Sequence, residues 1–187
     1  MAIYQLRGTN GSGKSTIVRG VAVDYGGFAN PIKQKTKIIG YRLHCAGWKP
    51  LFIVGGYENE CGGCDVLTRF GIELSWRLVR EYADRVCDVL FEGLVQSGDV
   101  NHVVDLFESG YAVTPIALTT SLDVCLQRIN KRRHARDPDR GSVDPYNATE
   151  KYKCVVRATS RLESAGVPVL RLDCAAALVF LRKQLRR

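Results

Sequence analysis

Residues 8–16 read Gly-Thr-Asn-Gly-Ser-Gly-Lys-Ser-Thr, and this G-x-x-x-x-G-K-[ST] spacing constrains the chain more than any other stretch. Such a run works only between a strand and a helix. The glycines let consecutive backbone N–H groups turn toward one anion, and the following helix aims its positive end at the same point. Both flanks are present here. Ala2-Ile3-Tyr4-Gln5-Leu6 is short and mostly apolar, as a buried strand is, and Lys14 to Asp24 has the composition of a helix. The expected phosphate contacts are Gly8, Asn10, Gly11, Ser12, Gly13, Lys14, Ser15 and Thr16. Lys14 reaches the β- and γ-phosphates, and the Ser15 hydroxyl can ligate Mg²⁺. The implied ligand is a nucleoside triphosphate.

The rest of the chain mostly alternates strand-like and helix-like segments, which predicts an α/β fold with a parallel sheet. After a loop from Tyr25 to Pro31, strands are expected at Lys37 to Leu43 and Leu51 to Tyr57, with a turn at Gly47 to Pro50. Ile72, Trp76, Val79, Ala83 and Val86 recur at helical spacing and predict one long helix over about Leu67 to Cys87. Asp88 to Glu92 is a buried strand ending in an acid, and Val100 to Phe107 is a helix stopped by Gly110. Ala112 to Leu118 is a strand that Pro115 demotes toward an edge. Ser121 caps a helix through Ile129, Lys131 to Pro145 is basic and loop-like, and Tyr152 to Leu162 forms a helix stopped by Gly166. Val167 to Leu172 is a last strand, followed by a closing helix with a basic end.

Three further stretches carry chemistry. Glu92 ends an apolar strand, the position from which a carboxylate can hold a metal-bound water near the γ-phosphate or accept a proton from an attacking hydroxyl. Arg128, Arg132 and Arg136 share one face if their helix continues that far, and the segment 131–145 reads as a lid whose arginines close on the triphosphate. The alternative is a solvated charged helix end or a nucleic-acid patch. Cys61-Gly62-Gly63-Cys64-Asp65 forms a tight turn that places Asp65 at an acceptor pocket, as a base or as a hydrogen-bond partner for a substrate hydroxyl. Zinc is not expected there. One C-x-x-C supplies two ligands of four, and adding His44 and Cys45 gives no standard spacing. Tyr57, Phe70 and Trp76 flank the turn, where they either stack on a base or belong to the core.

The bulk properties set limits on class. A length of 187 residues with 45% hydrophobic content suits one domain with a full core, 1–187. No run approaches the ~18 apolar residues of a membrane span, and the chain opens directly on a strand, so a cytoplasmic protein is expected. The seven cysteines are odd in number and mostly sit in apolar patterns, as reduced core thiols do. The net charge of +8 fits a polyanionic partner such as nucleic acid, and also fits an enzyme that gathers cations around phosphates.

Together, an N-terminal phosphate loop, an acid on a main strand and an Arg-rich segment after the next helix resemble the nucleoside- and nucleotide-kinase branch of the P-loop kinases. That resemblance implies a three-layer fold with a mainly parallel five-stranded sheet, here with a small β insertion around 37–57. A narrower likeness rests on Arg7 to Thr16, on Gly55-Gly56-Tyr57 followed by Cys61 to Asp65, and on Phe91-Glu92-Gly93. These resemble the bacteriophage P-loop kinases of DNA hypermodification, which phosphorylate the hydroxymethyl group of 5-hydroxymethyluracil within DNA. The resemblance implies ATP and Mg²⁺ as cofactors and a DNA partner. It assigns Lys14, Ser15 and Thr16 to phosphates and metal, and Asp65 and Glu92 to the acceptor side. The acceptor motifs of thymidylate and deoxynucleoside kinases, Asp-Arg or Glu-Arg-Ser, are absent, since Gly93-Leu94 follows Glu92. A kinase of free nucleosides or other small hydroxyl compounds, and a DNA-binding ATPase without an acceptor, are the alternatives.

Overall fold

The structure is a computed structural model that describes residues 1–59, 62–85 and 87–186. Strand β1 (Ala2–Arg7) leads into helix α1 (Lys14–Asp24). Strands β2 (Pro31–Gln34), β3 (Lys37–Leu43) and β4 (Leu51–Val54) follow. A 3₁₀ helix (Cys64–Phe70) precedes α2 (Ile72–Asp84), β5 (Asp88–Glu92), α3 (Leu94–Gly98) and α4 (Asn101–Glu108). The chain closes with β6 (Ala112–Leu118), α5 (Leu122–Arg136), α6 (Pro145–Ser164), β7 (Leu170–Leu172) and α7 (Cys174–Leu185).

The strands form one sheet in the order β2-β3-β4-β5-β1-β6-β7. Strands β4, β5, β1, β6 and β7 are mutually parallel, and β3 and β2 extend the β4 side antiparallel. The five parallel strands are those expected of the P-loop kinase fold. The antiparallel addition spans 31–43, and residues 51–54 belong to the parallel set. Every residue of β4 and β5 is buried, as the uninterrupted apolar runs of a sheet covered on both faces require.

Period-2 alternation sorts β1 between two cores. Tyr4 and Leu6 pack with Ile17, Val18 and Val21 of α1 and Ala177 and Leu181 of α7. Ile3 faces the other way, toward Trp76 and Val79 of α2, Val103 and Leu106 of α4, and Leu162 of α6. The result is three layers, with the C-terminal ends of β1 and β5 opening side by side.

Several sequence expectations change. Pro115 sits in an interior strand, opposite Gln5 of β1. Strand β7 engages only residues 116–118, one step past the proline, so the missing N–H costs no ladder bond on that side. The long helix expected over Leu67 to Cys87 is two pieces. The chain turns at Gly71, with φ of 88°, between the 3₁₀ helix and α2. Helix α5 runs on through Lys131 to Arg136, so the loop-like part of 131–145 begins only at Asp137. Asp144 then caps α6, whose first residue is Pro145. The last strand is limited to Leu170–Leu172, and α3 was not anticipated. Val86 and Cys61 lie outside the described residues. No helix among those described is long and apolar enough to cross a membrane.

Candidate active site

The loop after β1 turns into α1 at Gly13, whose φ of 102° is a left-handed conformation that favours glycine. Lys14 follows, 6% exposed. Its ammonium donates to the carbonyls of Gly8 at 2.8 Å and Thr9 at 3.1 Å, which holds the charge at the mouth of the loop. The neighbouring strand end supplies Glu92, 2% exposed. Ser15 Oγ donates to Glu92 Oε1 at 2.6 Å, and Lys14 Nζ lies 3.8 Å from Oε2. Burial pushes the Glu92 carboxyl up from its ordinary range, and Lys14 and the Ser15 hydrogen bond only partly offset this. Lys14, Ser15 and Glu92 therefore form one contiguous polar cluster, in which a hydroxyl and a carboxylate offer the hard oxygens that a small divalent cation takes.

Glu92 owes its burial to a glycine interlock. Gly63 N donates to Gly56 O at 2.9 Å, bridging the 62–65 turn to the end of β4. A Cβ on Gly63 would lie 2.6 Å from Glu92 Oε1 and 2.7 Å from the Glu92 carbonyl oxygen. Only a bare Cα lets the turn lie flat against the carboxylate. The same packing explains why no arginine follows Glu92. A Cβ at Gly93 would stand 1.9 Å from Gln96 Oε1 and 3.2 Å from Asp65 Oδ1. The space that a Glu-Arg motif would fill is taken by Asp65 and Gln96.

Asp65 accepts from Leu94 N with both carboxylate oxygens, at 2.9 and 3.0 Å, and from Val95 N at 3.4 Å. It caps the N-terminus of α3 from outside the helix and fastens the turn to the segment after Glu92. Cys64 is fully buried, 3.9 Å from Val54 O, and burial raises its thiol well above the ordinary range. His44 and Cys45 follow the far end of β3, beyond Leu43 opposite Leu51, and do not join it. Tyr57 and Trp76 are core residues at 3% and 2% exposure, whereas Phe70 is half-buried.

These parts surround a cleft of about 610 Å³. The phosphate loop forms its floor. Glu92, Asp65, Gly62 and Arg19 line one wall, and Arg128, Lys131 and Arg132 of α5 line the other. Arg128 also donates to Gly11 O at 3.3 Å. The arginine face expected from sequence is real as far as Arg132. Arg136 is the last residue of α5, one turn further on, and is not among the cleft-lining residues.

Three contributors were not anticipated. Arg19, one turn after Ser15, donates to Tyr57 O at 3.0 Å and to Asn59 O, holding the segment that leads into the Gly62 turn. Its i+4 spacing from Ser15 was a usable signal. Cys174, at the start of α7, donates from Sγ to Ser12 O at 3.1 Å, and nothing local in the sequence marks it. Arg7 is fully buried beneath the loop. Its guanidinium donates to Ser97 O at 2.6 Å, Gln5 Oε1 at 2.8 Å and Asp99 O at 3.1 Å. Desolvation lowers its pKa to about 10, partly offset by Asp99, so it stays charged at neutral pH. Ser97 in turn donates to Gly93 O at 2.6 Å and accepts from Gly8 N at 3.2 Å, which locks the loop start to the Glu92–Gly93 bend.

No family model matches the chain. A protein of Pseudomonas phage PaMx11 named 5-hmdU DNA kinase is 34% identical over 189 residues, covering 98% of this chain and 96% of its own. A protein of the same name from Pseudomonas phage M6 is 26% identical over 187 residues, covering 95% and 94%. Among solved structures, a deoxyadenosine kinase from M. mycoides with bound dATP aligns over 97% of this chain and 98% of its own, at 16% identity and a TM-score of 0.43.

Proposed function

The chain belongs to the phage 5-hmdU DNA kinase family and is a phosphotransferase. On that premise we propose that it transfers the γ-phosphoryl of ATP to the hydroxymethyl oxygen of 5-hydroxymethyluracil in DNA. The observation that carries this reading is the buried carboxylate of Glu92, 2.6 Å from the Ser15 hydroxyl and 3.8 Å from the Lys14 ammonium. A carboxylate beside the loop lysine and serine supports a reading in which the acceptor hydroxyl meets the γ-phosphate near Glu92.

Ser15 would hold Mg²⁺ directly and Glu92 through one of the ion's waters, and the ion when bound would offset charge on the phosphates. The loop amides and Lys14 orient the triphosphate, and Arg128 and Arg132 close on it from α5. Arg136 is assigned to the outer part of the same lid. The acceptor oxygen attacks the γ-phosphorus in line, the bond to the β-bridging oxygen breaks, and ADP leaves. The hydroxymethyl proton passes to Glu92, whose raised pKa suits it to accept one. Asp65, occupied by two backbone amides, acts as a positioning residue for the turn that walls the acceptor side. The acceptor in a duplex has to leave the base stack to enter the cleft.

The test is transfer of label from [γ-³²P]ATP to hydroxymethyluracil DNA, unmodified DNA and free hydroxymethyldeoxyuridine. Label is expected on the modified DNA alone. Label on the free nucleoside alone would reassign the enzyme to small-molecule acceptors. Rapid ATP hydrolysis that needs no acceptor would make it an ATPase.

A further inference from the structure

Resting on the DNA-kinase reading, we infer that the β2–β3 hairpin, together with Arg69 and Arg77, is a backbone clamp for the DNA strand that carries the target base. Two features of the sheet place the hairpin where such a clamp has to be. The first is height. Ile39 O accepts from Gly55 N, at the end of β4 that adjoins the Glu92 end of β5. Because β3 runs antiparallel to β4, Lys37 lies two residues beyond Ile39, about 7 Å past that level. The Lys35–Thr36 turn extends further in the same direction. The hairpin tip therefore overhangs the edge of the sheet on which the cleft opens.

The second feature is lateral offset. Strand β2 is the third strand out from β5, across β4 and β3. At ~4.8 Å per strand the hairpin stands roughly 14 Å to the side of Glu92. Duplex DNA rises about 3.4 Å per nucleotide along one strand. The offset therefore corresponds to about four nucleotides, so the hairpin meets the flanking backbone and not the acceptor itself.

The chemistry matches that position. Lys33, Lys35 and Lys37 are all exposed, and none has a carboxylate within ion-pair distance among the described residues. Lys35 occupies the hairpin turn with φ of 55°, a left-handed conformation that glycine or asparagine adopts more cheaply. A charged side chain thus stands where a turn alone calls for a smaller residue. Arg69 and Arg77 are exposed and have no ion-pair partner among the described residues. Gln34 of the hairpin and Arg77 of α2 line one surface groove, and Val66 of the 3₁₀ helix packs 3.1 Å from the Cβ position of Gly56, with Ile38 O at 3.3 Å from that point. Lys37 pairs with Gln34 across the hairpin and so shares the Arg77 face, Lys33 projects from the opposite face beside Ile38, and Lys35 stands at the tip between them, so the hairpin cations straddle the sheet edge next to the turn that carries Asp65 into the cleft. Lysines also guard edge strands against pairing with another sheet. That role needs no DNA, and the experiment separates the two.

The protein is compared with Lys33→Gln/Lys35→Gln/Lys37→Gln, with the corresponding triple Lys→Arg, and with Lys151→Gln/Arg157→Gln on α6 as a control away from the hairpin. Each is assayed on a hydroxymethyluracil duplex of about 30 base pairs, three helical turns, and on a modified trinucleotide too short to reach the hairpin. Salt is varied throughout. The Lys→Gln triple is expected to raise the duplex KM about tenfold near physiological salt. It should also reduce the slope of log KM against log salt by about 2 to 3, at roughly 0.9 per phosphate contact. Its KM for ATP and its rate on the trinucleotide should stay as in the parent, and the Lys→Arg triple and the α6 control should keep the parent slope. An unchanged slope in the Lys→Gln triple, with or without new self-association, overturns the clamp while leaving the DNA reading intact. An equal loss of slope in the α6 control overturns it as well, by making the attraction diffuse. A parent protein that labels free nucleoside but no DNA removes the DNA reading and the clamp together.

Discussion

Replacing Glu92 with glutamine should separate stability from catalysis. The side chain keeps its shape, and its Oε1 can still accept from Ser15 Oγ, but it can no longer take a proton from the acceptor. Loss of a positioned general base costs about 10²–10⁴ in rate, or roughly 3–5 kcal/mol at 1.36 kcal/mol per decade. The folded protein should respond in the opposite sense. Burial raises the Glu92 pKa more than Lys14 and Ser15 lower it, so the native state binds the proton more tightly than the unfolded chain. Stability conferred by the protonated form is complete below the unfolded carboxylate range. It is lost as pH rises through the folded pKa, where the buried group must ionise. Glu92→Gln removes that loss. The variant should melt above the parent at neutral pH, with a gap that narrows as pH falls toward 4. In a chain of this size each kcal/mol moves the melting temperature by about 2–4 °C. Single-turnover label transfer at saturating DNA measures the first effect, and thermal melts between pH 4 and 8 measure the second. A rate within about threefold of the parent refutes Glu92 as proton acceptor. A melting difference that does not grow with pH refutes the account of its burial.

Other variants test the surrounding parts. Lys14→Ala should reduce transfer by about a thousandfold or more, since it removes a cation aimed at the transferring group, while a single cooperative melt is retained. Asp65→Asn still offers an acceptor to Leu94 N, so turnover should fall by about tenfold at most; a loss near that of Glu92→Gln would move the proton to Asp65. Arg7→Met leaves the carbonyls of Ser97 and Asp99 and the Gln5 amide oxygen without their donor, and thermal denaturation should show a loss of about 3–5 kcal/mol. Arg7→Lys should recover only part of it, because one ammonium cannot reproduce the guanidinium fork.

Much of the site was legible because its signals are local. The phosphate loop, Glu92 at the end of β5 and the arginine face of α5 each follow from spacing within about ten residues. The expectations that failed turned on partners distant in sequence. Pro115 reads as an edge residue until the shortness of β7 is known. The break at Gly71 is invisible to a hydrophobic stripe that continues on both sides of it. Asp65 lines the cleft, but its carboxylate is committed to amides 29 residues away, which no sequence window reveals. Arg7 was read only as the residue before the loop, and its buried role emerges when α3 and α6 close over β1.

The glycine interlock also determines which molecule must deform. The cleft wall that carries Asp65 is fixed by backbone against backbone at Gly56 and Gly63, and Arg19 holds Tyr57 just before it. A wall built this way has little capacity to mould itself around a base still seated in its helix. The distortion then falls on the nucleic acid, and the barrier to reaction includes freeing the target from its pairing partner. Under the DNA-kinase reading, the enzyme senses how firmly each base is held, so modified sites in weakly paired tracts turn over first along an otherwise uniform genome.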